Sequence, residues 1–353
     1  MTDWRGNRVD KTSGPGTCSR SAGAALIAGA AILAILPAPV AADEPAGQPD
    51  AVTLQVENDL FGSGSDSHYT QGMRISWLPS PKTVPDWMRE AALLVPGIDT
   101  KDHLTFVFGL GQNMYTPEDI SRSSPDPTDR PYAGWLYATF GVAVEDAQRN
   151  LLHNVALDLG VVGPLSLAGP TQKVWHKLID SPEPRGWSHQ LDNEPGIILT
   201  YEARMRQSIA ATVSGFELDV TPKAGVALGN IFTYGAVGAS LRFGHNLDLD
   251  YGPPFIRPSL PGAGLVKRRD EWGWYAFAGV EGRAVARNIF LDGNTFSDSP
   301  SVDSLPFIGD LQFGIVATYN RVRISFTQIF RTKEFETQRE GDHYGSLAFT
   351  YLF

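Results

Sequence analysis

At 353 residues the chain is long enough for one large domain or two ordinary ones. It carries 29 basic and 39 acidic residues, a net charge of −10, so the basic footprint expected of a nucleic-acid binder is missing. Its single cysteine, Cys18, lies in the first 42 residues. The remainder therefore has no disulfide, no cysteine-ligated metal and no thiol nucleophile.

The chain opens with a basic leader (Arg5, Arg8, Lys11, Arg20), an apolar run from Ala22 to Leu36, and small residues at Val40-Ala41-Ala42. That order predicts a secretory signal peptide over 1–42, cleaved to leave 43–353 as one domain. The apolar run is shorter than the roughly 20 residues that span a bilayer as a helix. Cleavage would remove four basic and two acidic residues, leaving 25 against 37 and a net charge of −12.

Beyond the leader, no window holds enough consecutive apolar residues for a helical span. The repeated signal is alternation. Met73-Arg-Ile-Ser-Trp77 and Leu104-Thr-Phe-Val-Phe-Gly-Leu110 alternate cleanly, and 232–243 and 272–285 are rich in glycine, alanine and aromatics. Such segments suit membrane-crossing strands with apolar residues outward and small or polar residues inward. Twelve strands are predicted, near 51–59, 68–78, 103–112, 133–145, 151–163, 195–207, 212–228, 233–245, 271–292, 304–319, 321–333 and 341–353. The last has Leu347, Phe349, Tyr351 and Phe353 on one face, resembling the terminal strand of bacterial outer-membrane barrels. The fold class is thus all-β, a transmembrane antiparallel β-barrel of about twelve strands. An even count puts both ends on the periplasmic side. Two periplasmic connections, 79–102 and 246–270, are long. The first contains a short amphipathic helix beginning at Asp86.

This topology sends the end of strand 1 (Asn58, Asp59), the start of strand 2 (Thr70) and two long loops to the outer end. The loops carry Arg122, and Gln172 and His176 on a helical turn. Gln172 and His176 are four apart, on one helix face. A neutral histidine can take a proton from water, and carboxylate and amide oxygens suit a hard cation. Each residue also has a plainer role. Asp59 could turn a hairpin, Thr70 could start a strand, Arg122 could face solvent, and His176 could be structural. Asp158 is expected to pair with an arginine inside the barrel. No G-x-S-x-G elbow, H-E-x-x-H, P-loop or EF-hand pattern occurs.

Val56-Glu-Asn-Asp59, Tyr69-Thr-Gln-Gly72, Gly111-Gln-Asn-Met-Tyr-Thr-Pro117, Asp129-Arg-Pro-Tyr-Ala-Gly-Trp135, Gly160-Val-Val-Gly-Pro164, Gln172-x-x-x-His176 and 187–194 follow in order. Together they resemble the lipid A 3′-O-deacylases of the LpxR type, outer-membrane enzymes with a twelve-stranded barrel. The resemblance implies a monomeric hydrolase acting on lipid A, dependent on Ca²⁺. It implies His176 as general base, Asp59 and Asn58 at the cation, Thr70 and Gln172 completing the site, and Arg122 at a lipid phosphate. Three departures stand out. Arginine replaces a family lysine at 122. Leu60 follows Asp59 where a second acid is expected. Pro182 stands where a carboxylate is expected after the histidine, with Glu183 one place away. A barrel phospholipase acting on another lipid, or a non-catalytic barrel serving as a pore or envelope component, are the alternatives.

Overall fold

The computed structural model describes residues 50–59, 68–80, 84–92, 103–146, 148–211, 215–252 and 269–353. The expected leader, Leu60 and the side chain of Thr70 lie outside the described residues. Twelve strands close into one antiparallel barrel: β1 (Ala51–Asn58), β2 (His68–Leu78), β3 (His103–Thr116), β4 (Ala133–Asp146), β5 (Leu151–Val162) and β6 (Glu194–Met205, resuming as Gln207–Ala211) come first. Then follow β7 (Glu217–Gly229), β8 (Phe232–His245), β9 (Arg269–Asn288), β10 (Phe307–Asn320), β11 (Val322–Arg331) and β12 (Asp342–Leu352). Each pairs with its chain neighbour, β6 pairs β7, and β1 pairs β12 to complete the circle. Closure satisfies backbone groups along every strand, which a bilayer interior demands.

The side chains are arranged inside out relative to a water-soluble protein. Ile75, Leu110, Phe140, Leu199, Val237, Phe313, Ile315 and Ile324 point outward and are exposed. Charged groups fill the lumen instead. Arg283 and Arg331 converge on Asp310 at 2.9 and 2.8 Å, Lys223 meets Glu281, and Arg204 meets Glu202 at 2.6 Å. Asp158 does not meet its expected arginine directly. Its carboxylate accepts from the Thr139 hydroxyl at 2.5 Å, and that oxygen accepts from Arg74 at 3.1 Å. Gly111 explains why glycine sits in a strand here. A Cβ at this position would lie 2.4 Å from the inward Tyr137 ring, so the bare backbone makes room for it.

Aromatic pairs mark the periplasmic rim: Trp77 with Phe108 (5.6 Å), Phe216 with Phe243 (5.5 Å) and Trp272 with Tyr319 (5.1 Å). Rings at that level fit the interfacial girdle of membrane barrels. The expected helix is α1 (Asp86–Ala92). Its Met88, with Val84 just before the helix, packs on Phe106 and Phe108, which face out of the barrel, so α1 hugs the outer wall.

Both mouths are stoppered. At the outer end the ninth strand stops at Asn288 rather than at 292, because its Oδ1 accepts from the Phe290 N–H and caps a helical turn, α2 (Ile289–Asp292). Phe290 stacks on Tyr115 at 4.1 Å inside the mouth. At the periplasmic end, the start of the long connection folds back into the barrel instead of leaving it. Leu247, Leu249 and Tyr251 are buried there, and Tyr251 donates to Glu145 at 2.9 Å. Two lumenal clefts, beside Arg74 and beside Arg283, hold about 10 Å³ each, room for about one water.

Candidate functional site on the outer wall

The loop between β5 and β6 builds the site. A 3-10 turn (Pro164–Ser166) leads through Leu167, which has a left-handed backbone at φ 59°, into helix α3 (Ala168–Ile179). Asp180, also left-handed, ends the helix, and Ser181 donates to the His176 carbonyl at 2.9 Å. Asp tolerates that conformation better than most residues.

Helix α3 lies against the outside of the barrel on β3 and β4. Ala168 packs with Met114, Ile120, Tyr132 and Trp187 in one buried cluster. Each large member of that cluster contributes about 1.5–3 kcal/mol by leaving water. The Gln112 amide donates to the Ser166 carbonyl at 2.6 Å. Gly134 is the seat: a Cβ there would fall 2.1 Å from Ser166 Oγ and 2.3 Å from Ala168 Cβ. Gly134→Val should therefore lift the start of α3 at about 1–3 kcal/mol of local strain. The expected result is faster protease cleavage within residues 164–181 of a barrel that still runs as the compact form in unboiled gel samples. Wild-type resistance to cleavage would show that Gly134 does not seat the helix.

The buried face of α3 is Ala168, Gly169, Gln172 and His176. His176 is 2% exposed, and its Nδ1 lies 2.5 Å from the Pro182 carbonyl oxygen. A carbonyl only accepts, so Nδ1 carries the hydrogen, and the lone pair of the neutral ring sits on Nε2. The orienting group is thus a backbone carbonyl at the position where a carboxylate was expected. Glu183 does not substitute: it is exposed, 3.9 Å from Lys173. Gln172 Oε1 accepts from Trp187 Nε1–H at 2.6 Å. This fixes the amide's orientation and leaves its buried Nε2 without a partner among the described residues.

Opposite this helix runs an outward-facing row at the outer rim. Strand register places Gly345, Asn58, Gln71, Met114 and Gly134 side by side across β12, β1, β2, β3 and β4. Met114 and Gly134 are the residues α3 covers. Asn58 and Gln71 face the same way and are also buried, as is Asp59 at the end of β1. Gln71 was not singled out from sequence. A register shift between Tyr69 and Gln71 decides which way the start of β2 points, and no local pattern announces it. Its amide has no partner at either end among the described residues.

Two expected members stand differently. The backbone of Thr70 lies in β2. Arg122 lies in the loop after β3, half exposed, 3.2 Å from Asp126. It lines a cavity of about 430 Å³ between that loop and residues 337–339, whose lining among the described residues includes none from α3. Thr128 donates its backbone N–H and its hydroxyl to Asp126, which holds that carboxyl below its ordinary pKa and keeps it charged beside Arg122.

A closed twelve-stranded barrel with an apolar outer belt, a packed lumen and a histidine-bearing helix on its wall defines an outer-membrane protein. The family described as "Outer membrane protein LpxR" matches residues 26–353, and the chain belongs to that family. Among solved structures, LpxR from Salmonella typhimurium is similar, with a TM-score of 0.71 and 21% identity, covering 86% of this chain and 100% of that one. The β-domain of the Bordetella autotransporter BrkA aligns at a TM-score of 0.42 and 10% identity, over 87% of this chain and 100% of that one. No curated protein sequence matches. The outer-membrane location and the barrel expected from alternation are therefore established.

Proposed function

We propose that the protein is a lipid A 3′-O-deacylase: a hydrolase that removes the acyloxyacyl group from the 3′ position of lipid A at the outer leaflet. The observation that carries this reading is the bond from His176 Nδ1 to the Pro182 carbonyl on a helix face buried against the wall. In this reading Nε2, the nitrogen that bond leaves with the lone pair, is the base.

In this reading α3 crosses the strands from β4 toward β1. From Ala168 to His176 a helix rises about 12 Å, and three strand spacings span about 14 Å. His176 then stands over Asn58 and Asp59. Nε2 takes a proton from water as the oxygen attacks the ester carbonyl. The tetrahedral intermediate collapses, and the same imidazolium returns its proton to the departing sugar oxygen. The amide N–H groups of Gln172 and the side chain of Asn58 donate to the oxygen that gains negative charge. Thr70 is assigned to the site by the family likeness alone, and Arg122 engages a phosphate of the substrate, bidentate where a lysine would act as a point charge.

Ca²⁺ fits this donor set by type. Asp59 offers a carboxylate, and the side chain of Asn58 offers an amide oxygen; both are ligands for a hard cation. When bound, the ion supplies positive charge that polarises the ester carbonyl. Among the described residues no cluster of three or more His, Cys, Asp or Glu could hold a metal, so with a single carboxylate binding should be weak. Excess EGTA should stop hydrolysis in detergent and added Ca²⁺ should restore it. Asp59→Asn should raise the Ca²⁺ needed for half-maximal rate at least ten-fold. Full activity of the wild type in EGTA would remove the cation from the mechanism.

Mass spectrometry of lipid A from cells making the protein tests the whole reading. The expected product lacks the 3′ acyloxyacyl group. An unchanged lipid A mass, with folded barrel and Ca²⁺ present, would refute the assignment.

A further inference from the structure

The side of α3 turned away from the barrel is as distinctive as the side that carries His176. Leu167, Val174 and Leu178 are 56%, 71% and 62% exposed. Val174 and Leu178 are four residues apart, so they lie roughly 40° apart on the helix circumference, and Leu167 is the residue that leads into its first turn. Leu165, 61% exposed, extends the ridge into the preceding turn. Lys173 and Lys177 form an exposed basic flank beside it. Four large apolar side chains exposed together within fourteen residues would be a liability in water.

The surroundings identify what covers them. Gln112, which holds the Ser166 carbonyl, is two residues from Leu110, and Leu110 and Phe140 on the neighbouring strands are exposed members of the lipid-facing belt. On the other side the Leu165 N–H donates to Asn193 Oδ1, four residues before the exposed Ile197 of β6. The apolar ridge is thus continuous with the belt, at its outer edge. Lysines at that edge complement lipid phosphates.

We propose that α3 is an interfacial helix. Its ridge of Leu165, Leu167, Val174 and Leu178 lies among the acyl chains of the outer leaflet, with Lys173 and Lys177 at the lipid phosphates. An amphipathic helix lying in the interface plane behaves in this way. Resting on the proposed function, this sets the helix between the leaflet and the catalytic face. Substrate acyl chains then reach His176 around a helix that is itself dissolved in lipid.

The test uses a nitroxide on Val174→Cys, and in a second protein on Leu178→Cys. The only native cysteine, Cys18, belongs to the expected leader. Phe140→Cys on the belt and Ser123→Cys in the exposed loop serve as references. The full barrel is placed in vesicles containing lipopolysaccharide, and collision with oxygen is compared with collision with a water-soluble nickel chelate. Labels at 174 and 178 are expected to match 140, with nickel access at least five-fold below that at 123. Nickel access equal to that at 123 overturns the proposal. The readout involves no hydrolysis, so it fails or succeeds separately from the assignment of His176.

Discussion

His176→Ala should reduce release of the acyloxyacyl group by about 10²–10⁴-fold, the usual contribution of a positioned acid–base group. The barrel should still assemble. The argument is geometric. His176 sits on the buried face of a helix seated through Ala168, Met114, Tyr132 and Trp187, and none of those contacts needs the imidazole. Its Nδ1–H is committed to the Pro182 carbonyl, which sets the tautomer and leaves the lone pair on Nε2. His176→Gln tests the division of roles: an amide N–H can keep the bond to Pro182 yet cannot accept a proton as a base. The glutamine variant should be as inactive as the alanine variant, with native stability. Wild-type turnover in either variant would eliminate histidine as the base, whatever the fate of the lipid assignment.

Asp250→Asn should destabilise the barrel by about 3–5 kcal/mol, the range for stripping one partner from a buried charge cluster. The Asp250 carboxylate accepts from Arg242 at 2.5 Å, Arg323 at 2.6 Å and the Tyr275 hydroxyl at 2.9 Å, and from the Gly252 N–H at 2.9 Å. Arg242 retains Asp219, but Arg323 keeps only the Tyr275 oxygen among these groups. Burial alone would raise the pKa of Asp250. Arg323 and Arg242, with the Gly252 and Tyr275 bonds, outweigh it and hold the value below that of an ordinary carboxyl. A depressed pKa in the folded state stabilises above the unfolded value, near 4. That contribution is lost as pH falls through the lower folded value. Denaturant unfolding in detergent, followed by tryptophan fluorescence, should show wild type and variant converging at acid pH and separated at neutral pH. A difference under about 0.5 kcal/mol at neutral pH, the scatter of ordinary surface changes, would mean the periplasmic stopper does not hold the barrel.

Alternation with a period of two is a local property, and it located all twelve strands, while the spacing of four between Gln172 and His176 placed both on one face of a helix. The ends moved where a local cap intervened, as Asn288 does, or where pairing ran further, as β3 does to Thr116. Period and spacing say nothing about which distant groups meet. The turn of Gln71 to the outward row depends on a register shift, and the folding of 247–252 into the lumen depends on Arg242 and Arg323 from two other strands. The choice of the Pro182 carbonyl over Glu183 depends on how the chain leaves α3 after a left-handed Asp180. Side-chain periodicity is written residue by residue along a strand. Burial and hydrogen-bond partners arise only once the sheet has closed and its loops have packed, because they join positions tens to hundreds of residues apart.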